Sequence, residues 1–142
     1  MFLAGVHRMT HIGFTGTREG LSPRQEVSLR AILETFISGD RVYFHHGDCI
    51  GADAKAHTVF CDLVSWDRVI LHPPLETRSL SFCQAVMSHR PKAYLTRDRE
   101  IAASCGVLVA CPKEHREVVR SGTWATVRYA RAAGKTVVIL WP

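Results

Sequence analysis

The residues of this chain best suited to chemistry lie in a few short runs. Arg120-Ser121-Gly122-Thr123-Trp124-Ala125-Thr126 is a small-residue turn that opens a helix. The first N–H groups of a helix have no helical partner, so Ser121, Gly122 and Thr123 offer a seat for a phosphate or another anion. Gly122 lets the backbone come close, and the hydroxyls of Thr123 and Thr126, one turn apart, can face the same ligand. The plainer alternative is that Ser121 caps the helix and Gly122 serves its turn. Gly16-Thr17-Arg18 breaks an apolar strand, and Arg18 can grip a phosphate through a forked pair of hydrogen bonds or sit on the surface as an ordinary arginine. In His46-Gly47-Asp48-Cys49-Ile50-Gly51-Ala52-Asp53, Gly47 and Gly51 bracket Asp48, and Asp53 falls in the first turn of the next helix. A carboxylate there is favoured by the helix dipole alone. It can equally accept hydrogen bonds from a ribose or base, or orient Arg18 or Arg97.

Other arrangements are absent or point to packing. His45 and His46 are adjacent on a strand and face opposite ways, so they do not share an ion, and no metal site is expected. His57, one turn after Asp53, reads as a surface imidazole paired with that carboxylate. Trp124 reads as core filling between helix and sheet rather than as a base-stacking platform. Ser121 is not in a G-x-S-x-G elbow, no Walker A lysine follows a glycine loop, no triad stands out, and no cofactor is implied. The pattern is built to bind before it is built to react.

The elements that position these runs alternate. A strand over about 9–15 precedes a helix that starts at Ser22-Pro23-Arg24-Gln25, where an N-cap serine, a proline at the first helical position and a glutamine at the third form a capping box. Leu29, Ile32, Leu33, Phe36 and Ile37 then repeat at helical spacing, and Gly39 ends the helix. Residues 41–45 form a second strand, and Ala56, Val59, Phe60, Leu63 and Val64 mark a second helix. Residues 69–72 are a third strand stopped by Pro73-Pro74. The stretch 75–92 is hardest to read, with a short helix expected over 79–87. A helix over 94–104, a buried strand over 107–111, the helix opened by Ser121 and a strand over 136–140 complete the order. Strand–helix alternation implies an α/β, Rossmann-like three-layer sandwich with a mainly parallel five-stranded sheet ordered about 3-2-1-4-5. Ligands of such sheets bind outside the carboxyl ends of the strands, so the runs above should converge on one crevice.

With 142 residues, 46% of them hydrophobic, the chain suits one domain that buries roughly two-thirds of its unfolded surface. Five cysteines without a C-x-x-C pair argue for reduced thiols and a cytoplasmic setting rather than a disulfide framework or zinc ribbon. The apolar opening, residues 1–6, lacks the basic leader and length of a signal peptide, and no later run is long enough to span a bilayer. A net charge of +5, spread without a block of like charges, favours an anionic partner mildly.

At these motifs the chain resembles the SLOG superfamily, which joins the DNA-processing protein DprA (Smf) to the LOG cytokinin-activating phosphoribohydrolases. Phe14-Thr15-Gly16-Thr17-Arg18 is similar to the family's first-strand Gly-Ser/Thr-Arg turn, and the run 46–57 to its G-x-x-x-G-x-D segment with a trailing A-x-A-H. Arg97-Asp98-Arg99-Glu100-Ile101-Ala102 resembles R-N-R-x-I-A, and Ser121-Gly122-Thr123 with Thr126, Tyr129, Ala130, Gly134 and Lys135 resembles the DprA form of the last helix. The resemblance runs from about Ile12 to Leu140 and is nearest the small stand-alone, YspA-like type. It implies a nucleotide pocket, with Arg97 in its ligand set, in a homo-oligomer. LOG enzymes carry P-G-G-x-G-T-x-x-E, and Thr126 stands here in place of that glutamate, which argues against LOG-type hydrolysis.

The leading expectation is a binding protein whose crevice holds a nucleotide or an NAD- or ADP-ribose-derived ligand, as a sensor or sequestering protein. Its ligand set is Gly16, Thr17, Arg18, Gly47, Asp48, Gly51, Asp53, Arg97, Ser121, Gly122, Thr123 and Thr126. The alternatives are a nucleotide N-glycosidase with Asp48, Asp53 or Glu100 as acid or base, and a single-stranded DNA-binding protein.

Overall fold

A computed structural model describes residues 8–142; the apolar opening run lies outside them. The chain forms β1 (Arg8–Gly16), α1 (Pro23–Ile37), β2 (Asp40–His46), α2 (Ala52–Leu63), β3 (Val69–Leu71), β4 (Met87–Ser88), α3 (Tyr94–Ser104), β5 (Val107–Cys111), α4 (Gly122–Ala132) and β6 (Thr136–Ile139). All strand pairs are parallel, as crossovers through helices require.

The sheet has six strands in the order β4-β3-β2-β1-β5-β6, which corrects the five-stranded 3-2-1-4-5 expectation. The added strand is two residues long and lies outside β3, in the stretch that was hardest to read. No helix forms over 79–87. Instead a single 3-10 turn at Thr77–Ser79 leads into extended chain, because Asp48 captures it: the Asp48 carbonyl accepts from the Ser81 amide at 2.8 Å, and its carboxylate accepts from the Cys83 amide at 2.9 Å. Those bonds occupy donors that a helix would have used internally.

The capping box is present at α1, with the Ser22 hydroxyl accepting from the Gln25 amide and the Gln25 side chain accepting from the Ser22 amide. The same Gln25 then donates to the carbonyls of Pro112 and Leu140, so the cap also ties α1 to the ends of β5 and β6.

The two faces of the sheet differ in kind. Ile12, Phe14, Val42, Phe44, Val69, Leu71 and Val109 point toward α1 and α2 and join Leu29, Leu33, Val59 and Phe60 in one apolar core. On the opposite face Leu108 and Ala110 of β5 pack with Ile101, Ala102, Trp124, Val127 and Ala130 of α3 and α4. Because side chains alternate along a strand, the neighbouring positions of β1 and β2 on that second face are His11, Gly13, Tyr43 and His45. A Cβ on Gly13 would sit 2.8 Å from the Cys105 sulfur, so glycine is what lets the end of α3 close on the sheet. Half of this face is therefore sealed by imidazoles rather than hydrocarbon.

Candidate functional site

The turns after β1 and β2, the first half of α3, the loop after β5 and the start of α4 enclose a crevice of about 510 Å³ at the carboxyl ends of the strands. Its walls include Gly16, Thr17, Arg18, Asp53, Arg97, Ser121, Gly122 and Thr123 from the expected ligand set. Four members of that set lie elsewhere. Asp48 is spent on anchoring the 81–83 segment. Gly47 and Gly51 support the crevice from behind: a Cβ on Gly47 would overlap the Arg97 guanidinium, and one on Gly51, whose φ is 91°, would overlap the Arg18 backbone carbonyl. Thr126 is fully buried and donates to the Gly122 carbonyl at 2.9 Å, so its hydroxyl turns inward rather than toward a ligand.

Arg97 is the centre of the site. Its Nη1 donates to the Gly47 carbonyl at 3.0 Å and contacts the Cys49 sulfur at 3.4 Å. Its Nε lies 3.1 Å from Asp98 Oδ1 but off the line of a hydrogen bond, and is buried without another partner. The Tyr94 ring packs against both Arg97 and Arg18, whose guanidinium carbons are 5.4 and 5.0 Å from its centroid. Among the described residues Arg18 and Arg120 make no ion pair, whereas Lys113 is tied to Glu19 at 3.2 Å. At the start of α4 the Ser121 hydroxyl accepts from the Trp124 amide, and among the described residues the amides of Gly122 and Thr123 have no partner.

Two carboxyls line this crevice while buried. Burial raises Asp53 to about 6, against the pull of Arg97 and of the Cys49 amide that donates to it at 3.2 Å. Burial likewise raises Asp98 to about 6, opposed by Arg97 and by the neighbouring Thr126 hydroxyl. Of the three candidate acids only Asp53 lines the crevice. Glu100 is on the far flank of α3, where Lys92 Nζ lies 2.6 Å from its Oε2. Asp98, Tyr94 and Lys113 were missing from the expected set. The first two could have been found, since Tyr94, Arg97, Asp98 and Ile101 follow helical spacing and form one stripe.

The imidazoles make a second, separate system. His11 Nδ1 is 2.8 Å from His45 Nε2, His45 Nδ1 is 2.9 Å from His72 Nε2, and His72 Nδ1 is 2.6 Å from Glu100 Oε1. The carboxylate can only accept, so His72 donates from Nδ1 and accepts at Nε2, and the same polarity passes to His45 and His11. Burial, with neighbouring histidines adding to it, lowers His45 to about 3. Burial also lowers His72 to about 4, although the Glu100 bond resists. On the other face His46 Nδ1 accepts from the Asp48 amide and its Nε2 lies 3.0 Å from His57 Nδ1. His57 thus pairs with His46 and, at 3.4 Å, with Cys61, instead of forming the expected surface pair with Asp53. Trp124 is buried in the core, as expected, with its indole N–H donating to Glu114.

No family model matches the chain, and no curated protein does. Solved structures match its fold. The molybdenum cofactor binding protein of the phototrophic bacterium Rippkaea orientalis aligns over 95% of this chain and 78% of its own, at 18% identity and a TM-score of 0.68. The molybdenum cofactor carrier protein of Chlamydomonas reinhardtii aligns over 93% and 76%, at 23% identity and a TM-score of 0.63. The structural-genomics target TM1055 aligns over 91% and 72%, at 13% identity and a TM-score of 0.63. At such identities the likeness shows one thing: this chain has the Rossmann-like α/β fold of these proteins over nearly all of its length.

Proposed function

We propose that the crevice binds a nucleotide or an NAD- or ADP-ribose-derived ligand, held by its phosphate, and that the protein is a sensor or sequestering protein of the SLOG type. The observation that carries this reading is the meeting of Arg97, whose buried Nε makes no hydrogen bond among the described residues, with the open amides of Gly122 and Thr123 across one crevice. A helix start alone is a weak anion seat; a buried guanidinium facing the same space makes it a strong one. Arg18 and Arg120 add unpaired positive charge at the rim, and Asp53 is placed to accept from a ribose hydroxyl or a base.

The test is native mass spectrometry and calorimetry of the protein with AMP, NAD, ADP-ribose and short oligonucleotides. Molybdenum cofactor belongs in the panel because two proteins of this fold are described as binding it. One equivalent of intact nucleotide is expected. Gly122→Asp, whose Cβ would sit 3.7 Å from Asp98 Oδ2, puts a carboxylate into the amide seat and should abolish binding with the fold retained. Arg18→Ala should weaken it about tenfold, the loss of one exposed charge-assisted contact. Unchanged affinity in both variants would overturn the reading.

A second reading rests on the two buried carboxyls. With both raised to about 6 beside Arg97, Asp53 and Asp98 have the protonation behaviour of an acid–base pair near neutral pH. The same samples would then release free base, and Asp98→Asn would stop release while leaving ligand bound.

A further inference from the structure

His72, His89 and Glu100 gather away from the crevice, beneath the β3–β4 edge of the sheet. One donor atom from each lies within 4.8 Å of the other two. His72 and His89 stack with ring centroids 4.4 Å apart, and both direct Nδ1 at Glu100 Oε1, at 2.6 and 3.8 Å. We propose that these residues are a binding site for one transition-metal dication of the zinc class, held by two imidazole nitrogens and one carboxylate oxygen with the remaining position left to water. Neutral imidazole and carboxylate are the donors such ions take, and this set leaves an open coordination position. The side chain of His72 is fully buried, while Glu100 and His89 are 20% and 31% exposed, so the ion has an entry from one side. Lys92 holds Oε2, leaving Oε1 for the metal.

What separates this trio from a chance cluster is the histidine chain behind it. A metal on His72 Nδ1 needs that nitrogen's lone pair, and so a proton on Nε2. His45 supplies that proton from its Nδ1 and takes one on its Nε2 from His11 Nδ1. His11 in turn gains a proton at Nε2 from solvent. One proton leaves at His72 and one enters at His11, so every imidazole stays neutral and every internal hydrogen bond is kept with its direction reversed. The outer partner that a metal-bound histidine requires is thus already in place. The other trio of donors, His46, His57 and Cys83, lacks this property. His46 Nδ1 accepts from the Asp48 amide, which fixes the proton on the very nitrogen that faces His57.

The experiment titrates Co2+ and Zn2+ into the purified protein, following visible absorption and heat, with ¹⁵N spectra of the histidine rings. One equivalent is expected, without a thiolate-to-cobalt charge-transfer band, and with the protonated nitrogen of His11 moving from Nδ1 to Nε2. His89→Ala should weaken binding on the order of tenfold or more. Lys92→Met should strengthen it by removing a neighbouring positive charge, and Cys83→Ser should change nothing. No binding, loss of binding in Cys83→Ser but not in His89→Ala, or an unmoved His11 tautomer would each overturn the proposal.

Discussion

Helix α3 separates two buried polar systems that solve the same problem in opposite ways. On its crevice side, Asp98 and the neighbouring Asp53 are carboxyls pushed up to about 6 by burial, gathered around one permanently charged guanidinium. On its other side, His45 and His72 are imidazoles pushed down to about 3 and 4 by burial, closed into a chain that ends on Glu100. His46, on the opposite face of the sheet, is likewise pushed well below its ordinary value by burial. Within their chain the imidazoles satisfy one another, and that chain is open only at its two ends, the outer nitrogen of His11 and the Glu100 carboxylate beside His89, whereas the crevice keeps an Arg97 nitrogen without a hydrogen bond and open amides. A saturated interior holds its shape, and polar groups left without a partner are where a ligand would be received.

The comparison is sharpest in acid. Histidines lowered on folding stabilise fully above pH 6.5 and lose that contribution as pH falls toward their folded values. Carboxyls raised on folding act the other way, and their cost above pH 6 is relieved as pH falls toward 4. His45 and His72 outweigh the two carboxyls, with His46 and His57 lowered in the same direction, so the protein is net acid-labile: between pH 6.5 and 5 it should lose about 1 kcal/mol or more, at ~1.4 kcal/mol per proton per pH unit. In Asp53→Asn/Asp98→Asn the opposing effect is gone, and the loss over the same interval should grow to about 3 kcal/mol or more. Urea melts of both proteins across this range test it, and parallel curves would break the comparison.

Arg97→Ala should be next in size. It strands two carboxyls in the crevice and should cost about 3–5 kcal/mol at pH 7.5. At pH 5.5 the cost should shrink, because the carboxyls can then be neutral; a pH-independent loss would mean that Arg97 acts by packing alone. His11→Ala should have the smallest effect, about 1 kcal/mol or less. Its loss frees only the outer end of the chain, where His45 Nε2 can turn to water, so a larger loss would show that the imidazoles share the closed-network character assigned here to their interior.

How far all this was legible in the sequence depended on separation along the chain. The capping box at Ser22 and Gln25, the α3 boundaries and the strand at 107–111 are local patterns, and they form as read. The turns that meet at the crevice were predictable from strand polarity, without knowledge of their contacts. Asp48 was misplaced because its carboxylate serves a segment 35 residues away, and a glycine-flanked acid looks the same whether it binds a ligand or a loop. The histidine chain joins residues 34 and 27 positions apart through the register of neighbouring strands, which no periodicity within one element records. Asp98 was overlooked for a different reason, since its neighbours in the stripe were in view but its burial was not.

Gly51 lies so close to the Arg18 carbonyl that the turns after β1 and β2 are pressed into one piece, and the Ala52 amide bonds the Thr17 carbonyl across the seam at 2.9 Å. Neither turn can swing without breaking the other. The floor of the crevice is therefore finished in advance, and a molecule binding there would spend none of its attraction on ordering it. The capture rate of a molecule that binds there would then be governed by diffusion and by the charge at the rim, so that speeding or slowing it would be a matter of salt rather than of hinge residues.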